Sequence, residues 1–335
     1  MSQEAKLTPG QISQPAPASN RTPRLSDANS RDELMKARKQ RTLWGDAWMR
    51  FRKHKLAMLG LILFVGMILI TFIGNALYGR PYDSVFEYDS SVGPNPDNLL
   101  GTNSLGQDLL AQILWGGRIS LAVGILAATI AILLGTAIGA IAGFFGGLTD
   151  TILMRITDIF LSLPQLPLLL LITYLFSPSL QQWSSERFGS VNVGVFLLII
   201  IVISAFNWMT TARLVRASFL ATKERDFVEA AHSIGAKRSS LMLKHIMPNV
   251  LSPIIVAATL AIGTAIITES SLSFLGLGFP PGIPTWGSML FNARQYLQTS
   301  PHESLIPGFF IFLTVLSINY VGDGLRDALD PRRTK

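Results

Sequence analysis

Hydrophobic positions along this chain gather into six blocks, roughly residues 56–78, 119–145, 152–176, 193–214, 249–276 and 305–323, separated by polar stretches. Each block approaches or exceeds the roughly 20 residues that carry a helix across a bilayer. A soluble core at this length would show shorter apolar runs interrupted by polar faces. The pattern predicts an all-α polytopic membrane protein with six transmembrane helices. The third block is the least regular. Arg155 and Asp158 stand near its start, spaced to pair across one turn, and Pro164 and Pro167 lie inside it. Each proline removes a backbone hydrogen bond, so this span is expected to kink, which a bundle tolerates where neighbours satisfy the freed carbonyls. In the second block Gly135, Gly139, Gly143 and Gly147 recur every four residues. Small residues at that spacing share one helix face and predict a close packing seam.

The polar stretches divide the rest. Residues 1–45 are rich in Ser, Pro, Gln, Asn and charge without apolar periodicity, which predicts a disordered extension. The first apolar run starts only at Leu56, too late for a secretory signal. Residues 46–78 form an N-terminal segment and first span, 79–118 a long loop, and 119–325 a core of five further spans. That core includes a polar loop at 213–248, and a tail follows at 326–335.

Composition agrees with this division. Of the residues 49% are hydrophobic and only 15% charged, where soluble domains carry roughly 25% charged. There is no cysteine, hence no disulfide or thiolate chemistry. The net charge of +7 would suit nucleic acid or anionic lipid, but the placement of the charges argues for topology. On one side of the six spans lie 24 of the 28 Lys and Arg: the N-terminal arm, Arg155, loop 213–248 and the tail. Loops 78–118, 177–192 and 277–304 hold the other 4. Positive charge is retained on the cytoplasmic face. Both termini and loop 213–248 are therefore expected in the cytoplasm. Loop 78–118, with Asp83, Glu87, Asp89, Asp97 and Asp108, is expected outside.

The most informative polar stretch is "RDFVEAAHSIGAKRSSLMLKHIMPN", residues 225–249. Phe227, Ala230, Ala231 and Ile234 fall at i, i+3, i+4 and i+7, one face of a short helix. Glu224, Asp226 and Glu229 suit its N-terminal half, and Gly235 follows where a left-handed cap is expected. A second segment, about Ser239 to Ile246, is expected to stop before Pro248. Two readings fit these residues. One is a docking surface whose central alanines let a partner's groove approach. The other is an amphipathic segment resting on anionic lipid through Arg225, Lys237, Arg238 and Lys244.

The spacing resembles the EAA loop of the membrane permeases of bacterial ABC importers. Glu229, Ala230, Ala231, Gly235 and Pro248 match that pattern, while His245 stands at an apolar position and Met247 replaces Leu. Two further blocks, "LLGTNSLGQDLLAQILWGGRISL" (99–121) and "ESSLSFLGLGFPPGIPTWGSML" (269–290), resemble the C-type permease of dipeptide, oligopeptide and nickel importers. The resemblance runs from about Trp44 to the C-terminus. It implies the type I importer permease fold with a cytoplasmic coupling helix, formed by Phe227, Glu229, Ala230, Ala231 and Gly235 ahead of Pro248. It further implies a homologous second permease, two ABC ATPase subunits, an external peptide-binding protein and a bacterial inner-membrane location. This chain has no G-x-x-x-x-G-K-[ST] and no Gly-Lys pair, so the phosphate-cradling loop must belong to another polypeptide. No cofactor is expected on the chain itself, with ATP and Mg used by the partner ATPases. Its four histidines are scattered, and it carries no hydrolase or metal motif, so it is not expected to be an enzyme.

For the substrate path the candidates are Glu269, Ser270 and Ser271 near the outer end of the fifth span, with Pro164. An ionisable group in a span usually faces the interior or a water-filled cavity, and a carboxylate suits the ammonium end of a peptide. Alternatively Glu269 lies at the outer interface and caps packing with a partner. Asp323, Arg326 and Asp327 read as a solvated cluster ending the last helix. An ion-gradient-driven transporter or channel would instead predict inverted repeats, of which no convincing trace appears. A purely structural anchor would leave the spacing of residues 229–248 unexplained. Peptide is the expected cargo, with a nickel chelate or another solute the alternative.

Overall fold

The computed structural model describes residues 43–330, so the expected extension at 1–45 and tail at 326–335 lie largely outside the described residues. Among the described residues ten helices follow one another: α1 (Leu43–Lys53), α2 (Lys55–Tyr78), α3 (Leu109–Phe145), α4 (Gly147–Ser162), α5 (Gln165–Phe188), α6 (Val191–Lys223), α7 (Asp226–Ser233), α8 (Arg238–Phe274), α9 (Trp286–Ala293) and α10 (His302–Leu329). Five of these, α2, α3, α6, α8 and α10, are long and apolar enough to cross a membrane. The pair α4 and α5, bent by 86°, makes a sixth span if counted as one. The expected kink is thus a full break. Leu163 is extended, Pro164 caps α5, and Pro167 sits in the first turn, where its missing N–H costs nothing.

Several boundaries differ from the hydropathy blocks. The second span begins ten residues early, at Leu109, because the Asp108 carboxylate caps it by accepting from the Ala111 N–H at 2.9 Å. α5 runs on through Pro178 to Phe188, so the loop expected at 177–192 shrinks to Gly189 and Ser190. Pro178 leaves the Tyr174 carbonyl without its helical donor, and Tyr174 is exposed. Pro248 does not end a helix either. Residues Leu241–Ile246 form a wide π-turn, in which the Met247 N–H reaches back to Met242 O, and the helix continues as one piece to Phe274. The wider turn absorbs the proline's missing donor.

Inside the bundle, α3 and α6 share the most extensive interface. The expected glycine seam is there. A Cβ on Gly135 would lie 2.5 Å from Trp208 O and 2.7 Å from Thr211 Cβ, and one on Gly143 would lie 2.7 Å from Phe219 Cβ. Gly147 does not belong to it. With φ +54° and open space around it, this residue forms the α3–α4 corner. α4 is held to α6 by two ion pairs. Asp150 pairs with both Nε and Nη2 of Arg216, and Asp158 accepts from Arg213 Nη2. The i, i+3 pairing of Asp158 with Arg155 is therefore corrected: a tertiary partner at the right height outcompetes the local one.

The chain's described ends meet at the basic end of the bundle. Arg50 donates to Asp330 O at 3.3 Å, His54 stands 3.9 Å from Asp327, and Phe51, Ala57 and Ala328 form a small core. At the opposite end, residues 79–108 form a packed loop. Arg80 joins Asn98 and Asp108, the Tyr78 hydroxyl donates to Asp108 at 2.8 Å, and buried Glu303 accepts from the Ser91 hydroxyl at 2.7 Å and the Ser104 N–H. Tyr82 stacks on Trp115 with ring centroids 4.3 Å apart. Burial, reinforced by Asp83, pushes its phenol above the ordinary range.

Candidate functional site

α7 follows α6 at the basic end after the turn Glu224–Arg225. It is eight residues long, far too short to persist in water alone. Two features hold it. Its inner face sets Val228 and Ala231, 5% and 6% exposed, into a core with Phe144, Phe219, Leu241, Ile246 and Val250. Its C-terminus closes in a Schellman motif. The Gly235 N–H donates to His232 O at 2.9 Å and the Ala236 N–H to Ala231 O at 3.1 Å, with Gly235 at φ +85°. Only glycine adopts that backbone without strain.

The outer face carries the chemistry. Phe227 is 40% exposed and Ile234 87%, with Ala230 and Glu229 exposed between them. Phe227, Ala230 and Ile234 therefore form an outward apolar stripe on a helix that is rigidly held. Ala231, expected on the same face, is turned inward instead. The residue missed in the sequence is Val228, whose spacing of three from Ala231 was the available signal. Beside α7 lies a polar concavity lined by Lys223, Glu224, Glu229, His232 and Arg238, with Lys223 Nζ donating to Phe144 O at 3.0 Å. Pro248 lies exposed just beyond the π-turn, at the start of the membrane-crossing part of α8 and outside the cap of α7. His245, three residues before it, is half-buried within the π-turn.

The substrate-path candidates do not gather. Glu269 is fully buried within this chain, so in this conformation it neither lines an open path nor meets a partner at the surface. Its carboxyl accepts from the Ser273 hydroxyl at 2.8 Å and from that of Ser270 at 3.5 Å, with the hydroxyls of Ser120 and Thr285 beside it. Those four hydroxyls come from α3, α8 and the N-cap of α9. The adjoining Trp286, also fully buried, donates its indole N–H to Ile113 O and its backbone N–H to Ser120 Oγ, both at 3.2 Å. The cluster is a clasp between three elements. Ser270 is buried in it, Ser271 lies at the outer side of α8 with its hydroxyl turned back to Ile267 O, and Pro164 is exposed at the α4–α5 break.

A similar fold is seen in a chain of the MetNI methionine ABC transporter in an inward facing conformation, with TM-score 0.50, 17% identity, and coverage of 65% of this chain and 96% of that one. The architecture is accordingly that of an ABC importer permease. Residues 135–335 match the model of the binding-protein-dependent transport system inner membrane component, and residues 42–98 that of the N-terminal TM domain of oligopeptide transport permease C. The chain belongs to this family, as a C-type permease subunit. Among its relatives, the dipeptide transport system permease protein DppC of Alkalihalophilus pseudofirmus is 39% identical over 86% of this chain and 90% of its own length. The oligopeptide transport system permease protein OppC of Bacillus subtilis is 38% identical over 92% and 96%. The glutathione transport system permease protein GsiD of Pectobacterium atrosepticum is 39% identical over 87% and 92%.

Proposed function

We propose that this permease passes short peptides across a bacterial inner membrane, delivered by an external binding protein and driven by separate ATPase subunits that grip α7. The observation that carries the reading is the combination at α7: an exposed apolar stripe, Phe227, Ala230 and Ile234, on a helix whose inner face and cap fix it to the bundle. A lipid-resting segment has no need of a rigid mount. A helix that must transmit force does. Peptide cargo is supported by the names of the relatives, which concern dipeptide, oligopeptide and glutathione, itself a short peptide. The charge distribution supports a cytoplasmic basic end, with α7 and both termini inside and residues 79–108 facing the binding protein. A second, homologous permease completes the path. ATP and Mg are used on the ATPases, and this chain contributes no catalytic group.

The coupling reading is tested by ATPase activity of the reconstituted importer, wild type against Glu229→Arg with Gly235→Asp, with assembly followed by pull-down. The expected result is loss of binding-protein-stimulated hydrolysis and of uptake, with the ATPase either released or bound but uncoupled. Unchanged stimulation would show that α7 is a lipid-resting loop. Uptake of a labelled tripeptide by wild type tests the cargo separately.

A further inference from the structure

The outward faces of the spans are not alike. Beyond Lys55 at its start, α2 presents apolar side chains outward, among them Leu59, Ile62, Leu69 and Ile73, as a lipid-facing helix does. α6 and α8 together present a mostly apolar groove in which Asn207, Thr210, Thr211 and Thr264 stand among Leu214, Leu260 and two alanines. Asn207, Thr210 and Leu214 fall at i, i+3 and i+7 on α6, and Leu260 and Thr264 one turn apart on α8, each set on one helix face. Thr210, Leu214, Leu260 and Thr264 are exposed. Polar side chains set in this way midway along two spans mark a partner face or a water-filled path.

The hydrogen bonds say which chemistry it offers. The Asn207 amide nitrogen donates one of its two N–H groups to Ile203 O at 3.0 Å, which leaves the other N–H and the carbonyl oxygen available to an occupant. The Thr264 hydroxyl donates to Leu260 O at 3.2 Å, and its lone pairs stay free. The groove therefore offers donors and acceptors together, and its lining carries no charge. It matches an extended peptide backbone, whose N–H and C=O groups call for both. The opening is about 220 Å³, below the roughly 300 Å³ of a complete small-molecule site. It is open on one side, as half of a path shared with a second subunit would be.

We propose that the α6–α8 groove is this subunit's peptide-facing surface, with Asn207 and Thr264 accepting hydrogen bonds from peptide N–H groups. The inference rests on the peptide reading above and goes beyond it by naming the contacts. It also moves the path away from Glu269.

The absence of native cysteine allows a direct test. Single cysteines replace Asn207, Thr210 and Thr264, with Leu69→Cys on α2 as a lipid-facing control, in an importer whose other subunits lack reactive thiols. Proteoliposomes are exposed to a charged, membrane-impermeant methanethiosulfonate reagent during turnover, with and without tripeptide. The expected result is labelling at 207, 210 and 264, slowed at least about fivefold by tripeptide, and none at 69, with the factor set by about 1 kcal/mol per contact. In parallel, Asn207→Leu with Thr264→Val is expected to reduce tripeptide uptake about tenfold while the amount of assembled importer recovered by pull-down is unchanged. Labelling no faster than at 69 overturns the proposal and assigns the groove to subunit packing. Labelling that tripeptide does not slow overturns it as well. Wild type that takes up no tripeptide removes the peptide reading and this inference together, whereas normal uptake with unprotected cysteines removes this inference alone.

Discussion

Gly135→Ala, adding a single methyl group, tests the physical reasoning about the bundle most sharply. The new Cβ would lie 2.5 Å from Trp208 O and 2.7 Å from Thr211 Cβ. Neither neighbour is the tip of a flexible side chain, so relief requires α3 and α6 to part. Restoring ordinary van der Waals separation takes about 0.8 Å, and a gap of that order forfeits roughly a quarter to a half of the dispersion energy along the seam. Overpacking of this kind costs about 1–3 kcal/mol. Gly66→Ala is the matched control: it lies in α2 with nothing within 4 Å of the added carbon. There the same substitution removes a helix-weakening glycine and is expected to be neutral or stabilising by up to about 1 kcal/mol. The assay is thermal inactivation of the detergent-solubilised importer, followed by loss of the intact peak on size exclusion after heating. Gly135→Ala should inactivate several degrees below wild type and Gly66→Ala at or above it. Equal stability of the two variants would refute the claim that close helix approach, and not glycine content, explains the four-residue spacing.

Other substitutions probe the remaining features. Glu269→Ala should destabilise by about 2–4 kcal/mol, since it strands several buried hydroxyls, while Glu269→Gln keeps an acceptor and should cost roughly 1 kcal/mol; equal melting of the two variants would count against the clasp. Gly235→Ala meets no neighbour but must hold φ +85°, a strain of about 1–2 kcal/mol; it should lower stimulated ATPase activity without altering the amount of complex isolated. Arg216→Ala leaves Asp150 unpaired beside α6; with side chains 34% and 17% exposed, the expected cost is about 1–2 kcal/mol, and the α4–α5 break should become more sensitive to protease in proteoliposomes.

Hydropathy locates the spans because lipid imposes an apolar requirement over a fixed thickness, and a helix has no other way to satisfy its backbone there. It misplaces their ends for the same reason. α3 starts at Leu109 and α5 ends at Phe188, where polar residues continue a helix past the apolar zone and capping, not hydropathy, decides the boundary. Pro248 reads as a stop because the π-turn that accommodates it leaves no mark in composition. Gly235 is legible, since a left-handed cap selects one residue type. Ala231 is not distinguishable from Ala230 by periodicity alone, because both faces of α7 are apolar: one for the bundle and one left outward. Asp158 shows the limit of local spacing, since its partner Arg213 lies on another helix altogether. Glu269 stands out in the sequence as an unusual charge in a span, yet its role depends on Ser120 and Thr285, one of them far away in the chain.

α8 begins three residues after Gly235 and ends beside the Glu269 clasp, a helix of 37 residues. At 1.5 Å per residue that is a rod of about 55 Å. One end is bolted to α7 through the shared core, the other to α3 and α9 through Trp286 and its hydroxyl cage. A tilt of about 5° imposed at the α7 end would sweep the far end of a 55 Å rod through about 5 Å. Geometry thus supplies leverage: a small displacement at α7 emerges as a movement of several ångström at the far end. The π-turn Leu241–Ile246 lies near the α7 end of the rod, and Pro253 lies inside the helix shortly after it. The stiffness of that stretch sets how much of any tilt reaches the clasp and how much is lost in bending.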